Sequence, residues 1–126
     1  MFCAVALSDK VVAEKITTEC GGVYSDNDTM HLVFILDKNV SGIASARFID
    51  KAVRITFVGI KKEERGKGYG DFLTRSIINK VMDLTDVVEV DVVDEYFLKF
   101  GFERCGKIMR AESKSIVFPS KCRHNG

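Results

Sequence analysis

The chain has 126 residues, of which 46% are hydrophobic and 29% are charged, and its formal net charge is +1. These values are typical of a soluble globular protein, and we expect one domain that spans residues 1–126. Because the charges nearly cancel and no apolar run approaches the roughly 20 residues that cross a bilayer, we expect neither a nucleic-acid partner nor a membrane partner.

The first half of the chain predicts one helix followed by antiparallel strands. Residues 9–20 carry apolar side chains four positions apart, the pattern of an amphipathic helix: Val12, Ile16 and Cys20. Asp9 can cap the start of this helix, and Gly21 and Gly22 can end it. Three strand-like runs follow, and the breaks between them are short enough for antiparallel hairpins: 31–37, 42–50 and 52–60.

The second half predicts a strand–helix–strand unit and then a closing pair of edge strands. A helical period covers residues 69–84, and 87–93 read as a strand, which places the strands on either side of the helix parallel to each other. A short helix, 94–100, ends at Gly101. The remaining runs predict a hairpin or edge strands, 102–110 and 115–120, with Pro119 at an edge.

These elements together predict an α+β fold. Its sheet is mixed and mostly antiparallel, with one parallel strand–helix–strand crossover and with helices packed on both faces.

The cysteines are scattered and contain no C-x-x-C pair: Cys3, Cys20, Cys105 and Cys122. In a chain of this size they are typical of free, mostly buried thiols in a reducing compartment. The N-terminal stretch also lacks the basic start of a secretory signal. We therefore expect a cytoplasmic protein. Cys122 and His124 resemble half of a metal site, but the chain has only 2 histidines, so we expect no metal.

The stretch GIKKEERGKGYGDFL, residues 59–73, joins a predicted strand to a predicted helix. The N-terminus of a helix carries a partial positive charge and unpaired amides, and glycines let an anion approach them without a Cβ in the way. Four cations lie in the same stretch: Lys61, Lys62, Arg65 and Lys67. An anion site is one interpretation, and a solvated turn with a glycine-softened helix start is the other.

Two common phosphate loops do not fit this stretch. The nucleotide-hydrolase loop G-x-x-x-x-G-K-[S/T] is absent, and the dinucleotide fingerprint G-x-G-x-x-G would need glycine where Asp71 stands. Asp91 mimics the ribose-binding acid of the dinucleotide motif, but antiparallel strands ahead of the loop argue against that fold. A nucleotide- or NAD-binding domain remains an alternative.

The pattern that fits is R-x-x-G-x-G, filled by Arg65, Gly68 and Gly70, with YFLKFGF at 96–102 about 30 residues later. This pairing resembles the GNAT (Gcn5-related N-acetyltransferase) superfamily, and its histone-acetylating members in particular. The resemblance covers the element order from 32 to 102. It implies an acetyl-CoA-dependent N-acetyltransferase.

The resemblance also implies which residues would hold acetyl-CoA. The loop would bind the pyrophosphate through its amides: Arg65, Gly66, Lys67, Gly68, Tyr69 and Gly70, with Asp71. The end of the fourth strand would pair with the pantetheine arm through its main chain: Val58, Gly59 and Ile60. In the family this strand and the next, here 87–93, splay apart around the thioester. The amine attacks the thioester directly, and a main-chain amide stabilises the oxyanion.

The proton chemistry of the family is matched less well. The usual positions of the general base fall on Arg54 and Thr56, neither of which is a base at neutral pH. Tyr96, the candidate acid for the leaving thiolate, lies one residue before the usual place, as in the histone type. Ordered water, Glu89 or Asp91 is left as the acceptor of the amine's proton. A solvated or salt-bridged role is the alternative for both Glu89 and Asp91. Arg54 either lies beside the acceptor site, where it would favour a substrate with a carboxylate, or pairs with Asp50 or Glu89 across strands.

The acceptor is predicted to be a small-molecule or peptide amine. Where the family has two helices between its first and second strands, this chain has room for one. The acceptor site is therefore either open or completed by a second copy in a homodimer. A non-catalytic acyl-CoA-binding sensor or partner module is the alternative function.

Overall fold

The structure is a computed structural model that describes residues 2–119. The elements found in this range are β1 (Cys3–Leu7), α1 (Lys10–Glu19), β2 (Met30–Leu36), β3 (Asn39–Ile49), β4 (Ala52–Ile60), α2 (Tyr69–Met82), β5 (Val87–Val90), β6 (Glu103–Cys105) and β7 (Ile108–Glu112). Short 3-10 helices add to them: Lys62–Glu64, Glu95–Phe100 and Ser113–Ser115. Within residues 2–119 no helix is both long enough and apolar enough to cross a membrane.

The strands form one sheet in the order β1-β2-β3-β4-β5-β7-β6. Neighbouring strands are antiparallel except β4 and β5, which are parallel and are joined by α2. A parallel pair needs such a crossover, because a tight turn can only join antiparallel strands. The predicted α+β class, with one parallel crossover in a mostly antiparallel sheet, is confirmed.

The helices cover opposite faces of the sheet. Adjacent strand residues point to opposite faces, and Val33 and Phe34 accordingly lie in different apolar clusters. The larger cluster lies under α2, which buries Leu73, Ile77, Ile78 and Val81. The smaller cluster lies under α1, which buries Ala13 and Ile16 together with Cys20. Both helices begin and end close to where the sequence predicts, and the Val12 amide donates to the Asp9 carboxylate at 3.0 Å as an N-cap.

Several local expectations are wrong. The edge strand β1 is absent from the sequence-based strands, and β5 ends at Val90 rather than at residue 93. Residues 116–119 are not a strand. The Val117 amide donates to the Phe100 carbonyl at 3.0 Å, and this bond connects the segment to the 3-10 helix Glu95–Phe100. The thiols of Cys3 and Cys105 are exposed, because both lie on edge strands. Ser120, Cys122 and His124 lie outside the described residues.

Candidate functional site

The parallel pair β4 and β5 separates partway along its length. The two strands are in register only between Ala52–Ile55 and Val87–Val90. The last contact is the Asp91 amide, which donates to the Ile55 carbonyl at 2.9 Å. Beyond this point β4 continues to Ile60, while the segment that follows β5 turns away from β4. The edge of β4 that faces β5 is therefore left open over its last residues.

A bulge in β4 lies at the same level. Ser45 of β3 is opposite Phe57, and Ala46 is opposite Ile55, so that Thr56 is an extra residue in β4. An inserted residue of this kind reverses the alternation of the strand. The apolar side chains of Ile55 and then of Val58 and Ile60 consequently face α2.

The same shift decides which main-chain groups face the open edge. The Lys61 amide donates to the Ser41 carbonyl of β3 at 2.8 Å, so the main-chain groups of Lys61 point toward β3. Those of Gly59, two residues earlier in the strand, point the same way. Those of Val58 and Ile60 point the other way, toward the open edge. An extended ligand lying along this edge could pair with β4 as an additional strand does.

The gap between β4 and β5 is a cleft of about 460 Å³. Its lining is a mixture of strand residues, the first turns of α2 and the segment after β5: Ile55, Thr56, Phe57, Val58, Gly70, Asp71, Thr74, Val90, Asp91, Val92, Asp94, Tyr96 and Phe97. The structure thus brings Val58, Gly70, Asp71 and Tyr96, all predicted as site residues, to one cavity.

Residues 65–70, called the glycine loop from here on, lead into this cleft at the start of α2. Gly66 and Gly68 have φ angles of +80° and +86°, a region that residues with a side chain rarely adopt, and Gly68 is the N-cap of α2. A Cβ added at either glycine would have no other atom within 4 Å. The first amide to bond within α2 is that of Phe72, which donates to Gly68. Amides before it project from the helix end, where an anion can accept from them.

Arg65 holds the loop in place rather than extending from it. Its Nε donates to the Ile60 carbonyl at 2.9 Å, and its Nη2 donates to the Cys20 carbonyl at 3.0 Å. One guanidinium therefore joins the end of β4 to the end of α1. The geometry assigns Arg65 a structural role in shaping the loop.

Two of the three lysines in the same stretch form ion pairs. Lys61 Nζ lies 3.2 Å from a Glu19 carboxylate oxygen, and Lys67 Nζ lies 2.8 Å from one of Glu64. The hydrogen bond that Lys67 donates to Glu64 raises the pKa of Lys67. Lys62 has no charged partner within residues 2–119, so it is the cation most available to a ligand.

Asp71 and Tyr96 form the centre of a polar network in the cleft. The Tyr96 hydroxyl and Arg75 Nε (2.9 Å) donate to the Asp71 carboxylate, and Lys99 Nζ lies 3.7 Å from it. Burial alone would raise the pKa of Asp71, but the hydrogen bonds from Tyr96 and Arg75 outweigh burial and lower it. The pKa of Tyr96 is raised, first by burial and then by its bond to Asp71.

Glu89 lies away from this network. Arg54 Nε and Nη2 lie 2.9 and 2.8 Å from its Oε1, and Arg110 Nε lies 3.9 Å from its Oε2. Because its neighbours Val88 and Val90 are buried under α2, the Glu89 side chain points to the opposite face of the sheet. The structure thus separates Glu89 from Tyr96, the other candidate catalytic residue, and Glu89 rather than Asp50 is the partner of Arg54.

Some residues in the cleft, and one residue beside it, Arg75, were missing from the sequence-based candidates. Arg75 fixes the Asp71 carboxylate, and Thr74 Oγ1 donates to the Gly70 carbonyl at 2.7 Å. The spacing of Asp71 and Arg75, four residues apart on one helix, was a usable signal for the first of these. Asp94 caps the 3-10 helix by accepting from the Tyr96 amide at 2.9 Å.

Comparison with solved structures identifies the fold. The ribosomal-protein-S18-alanine N-acetyltransferase from Escherichia coli superposes with a TM-score of 0.72 at 8% identity, covering 95% of this chain and 97% of that chain. A GNAT family acetyltransferase from Brucella melitensis in complex with acetyl-CoA gives 0.71 at 16% identity, covering 88% of each chain. Naa50 from Arabidopsis thaliana, in complex with the bisubstrate analogue CoA-Ac-MVNAL, gives 0.72 at 13% identity, covering 89% and 99%.

The chain therefore has the GNAT fold, which confirms the resemblance implied by the two motifs. The neighbours that are named as acetyltransferases include complexes with acetyl-CoA and with CoA. No family model matches the sequence, and the search of curated proteins found no match. A KacTA–DNA complex also has this fold, with a TM-score of 0.66 at 12% identity over 90% of this chain and 95% of that chain. The fold alone thus gives no support to the expectation of no nucleic-acid partner.

Proposed function

We propose that this protein is an acetyl-CoA-dependent N-acetyltransferase, which transfers the acetyl group to a primary amine by direct attack. The observation that carries the proposal is the cleft between β4 and β5, which begins at Ile55 and meets the glycine loop ahead of α2. A long donor that has a phosphate-bearing end and an extended arm needs these two features side by side.

The residues of the loop and of β4 fit the two parts of acetyl-CoA. The open space at Gly66 and Gly68 and the amides at the start of α2 suit a pyrophosphate. The main chain of Val58 and Ile60 suits the pantetheine arm. Gly59 has a packing role instead. An added Cβ there would lie 2.9 Å from Cys20 Cβ and 2.6 Å from the Phe57 ring, so the lack of a side chain lets α1 pack closely on β4.

The acceptor is proposed at the level of its chemistry. Among proteins of the same fold, one is named as a ribosomal-protein-S18-alanine N-acetyltransferase, and Naa50 is bound to the bisubstrate analogue CoA-Ac-MVNAL. A peptide amine and a small primary amine both remain compatible with the open face beside β5. Direct attack needs no covalent enzyme intermediate, so the chain has to supply orientation and a route for the amine's proton.

A second candidate function is an acyl-CoA-binding module without turnover. Two observations favour it: the Arg54 side chain, at a usual base position, is held in an ion pair with Glu89, and the Tyr96 hydroxyl is bonded to Asp71. The first position therefore offers no free base, and the candidate acid Tyr96 already donates its proton to another hydrogen bond.

The test is calorimetry with acetyl-CoA, CoA, NAD and ATP in parallel, followed by measurement of thiol release with a panel of amines. We expect the two CoA compounds to bind and amine-dependent thiol release to follow. Binding of NAD or ATP without binding of CoA would refute the acetyltransferase proposal. Tight binding of acetyl-CoA without transfer to any amine would favour the binding module.

A further inference from the structure

Three aspartates line the cleft, and they differ in what their carboxylates contact. Asp71 is bonded to Arg75 and Tyr96, and Asp94 accepts from a main-chain amide as a helix cap. The Asp91 carboxylate has no hydrogen-bond or ion-pair partner within residues 2–119. Asp91 is therefore the cleft carboxylate whose charge is available to a ligand.

The position of Asp91 is fixed even though its side chain is exposed. Its amide donates to the Ile55 carbonyl at 2.9 Å, and the residue before it, Val90, is buried and paired with Met109 of β7. Asp91 therefore lies where β4 and β5 separate, at the inner end of the cleft and across from Thr56. Because Val90 faces α2, the alternation of the strand directs Asp91 away from that helix, toward the same face of the sheet as Glu89.

The charge of the cleft lining is one-sided. Among the described residues that line it are three carboxylates and no lysine, arginine or histidine. Outside the lining, Arg54 is paired with Glu89, which Arg110 also approaches to 3.9 Å, and Lys99 lies over the Tyr96 ring, 4.2 Å from its centroid. An acceptor that carries a carboxylate near its amine would meet no cation in the described lining of the cleft, whereas an ammonium group would meet Asp91.

We propose that Asp91 binds the ammonium group of a cationic acceptor and takes the proton that its nitrogen loses during transfer. This proposal rests on the proposed acetyltransferase function and adds to it the class of acceptor and a catalytic residue. It also prefers Asp91 to Glu89, whose carboxylate is already paired with Arg54.

The protons and bonds balance as follows. The ammonium gives one proton to solvent as it enters, and the neutral nitrogen forms a C–N bond to the thioester carbonyl carbon while the C–S bond breaks. The nitrogen's second proton passes to Asp91, the thiolate of CoA takes one from solvent, and Asp91 returns its own to solvent. The sum is one ammonium and one thioester converted to one amide, one thiol and one released proton.

The test compares two kinds of acceptor in an Asp91→Asn variant. The probes are hexylamine and spermidine, which are cationic at neutral pH, and an arylamine, which is not. We expect Asp91→Asn to lower kcat for all three amines by on the order of 10²–10³-fold, because each nitrogen loses a proton to Asp91 during transfer. It should raise KM for the cationic amines only, because the arylamine brings no ammonium group for Asp91 to bind. Asp91→Glu should restore part of the activity. Asp83→Asn, which alters an exposed carboxylate at the far end of α2, is the matched control and should change nothing.

The outcomes separate this proposal from the one on which it rests. Failure of the wild-type protein to bind acetyl-CoA would refute the proposed function itself. An equal change in KM for both kinds of amine, a loss of kcat below threefold, or a wild-type preference for amines bearing a carboxylate would overturn the role of Asp91 alone. So would tight acetyl-CoA binding with transfer to the arylamine but to no cationic amine.

Discussion

Replacing Gly68 with valine is predicted to abolish acetyl-CoA binding while the protein stays folded. Gly68 has a φ angle of +86°, and a side chain in this region costs about 1–2 kcal/mol. No atom lies within 4 Å of the added Cβ, so the empty protein gains strain but no clash. We therefore expect a modest fall in the free energy of unfolding.

The loss of binding should be much larger than the loss of stability. The branched side chain would project into the space where a phosphate has to meet the amides at the start of α2. A hydrogen bond to a charged group contributes about 1.5–3 kcal/mol, so losing two of them costs about 3–6 kcal/mol. That corresponds to a dissociation constant raised by on the order of 10²–10⁴-fold, measured by calorimetry with acetyl-CoA.

Gly106→Val is the matched control for this change. Gly106 also has a positive φ angle, +64°, and no atom within 4 Å of an added Cβ, but it lies in the turn between β6 and β7. It should lose similar stability and keep its affinity. An unchanged affinity in a folded Gly68→Val variant would show that the loop is only a turn, and an equal loss in Gly106→Val would show that the effect is unspecific.

Three further predictions concern the proton, the pH dependence of stability and the packing. Tyr96→Phe should lower kcat by about tenfold through positioning, and a loss beyond about a hundredfold with unchanged CoA affinity would instead identify Tyr96 as the acid. Burial lowers the pKa of His31 in the folded protein. As the pH falls through about 6.5, this histidine therefore binds a proton in the unfolded chain before it does so in the folded protein. The melting temperature should therefore fall as the pH drops from 7.5 to 5.5, and this dependence should weaken in His31→Gln; a parallel pH profile in both proteins would contradict it. Gly101→Ala would place a Cβ 2.8 Å from the Ser115 carbonyl oxygen at a φ angle of +97°, for which we expect about 2–4 kcal/mol of lost stability in urea denaturation, and a loss under about 1 kcal/mol would show that the loop relaxes.

Much of the fold was predictable because its signals are local. The helix α1 has a capping Asp9 at one end and Gly21 at the other, and both ends were located correctly. The strand β5 was predicted too long because Val92 and Val93 are apolar, whereas strand length depends on partners. Beyond Asp91 the chain leaves β4, and the apolar pattern carries no information about that separation.

The interactions of the site were less predictable, because they join residues far apart in the chain. The Arg65 motif was recognised, but its contact with the Cys20 carbonyl spans 45 residues and appears in no local pattern. The bond from Tyr96 to Asp71 spans 25 residues. The pairing of Arg54 with Glu89 was one of two alternatives, because facing positions on neighbouring strands limit the choice.

The open edge of β4 has an evolutionary consequence. What it offers to a ligand is main chain, and every amino acid except proline carries the same main-chain donor and acceptor. Exchange of Val58 or Ile60 for another apolar residue leaves these groups where they are, so mutations can accumulate here without erasing the edge. Such a strand can keep its geometry while its amino-acid sequence diverges. The Escherichia coli S18-alanine N-acetyltransferase illustrates this for the whole fold, with a TM-score of 0.72 at 8% identity to this chain. Proline is the one replacement that natural variation in this segment should avoid.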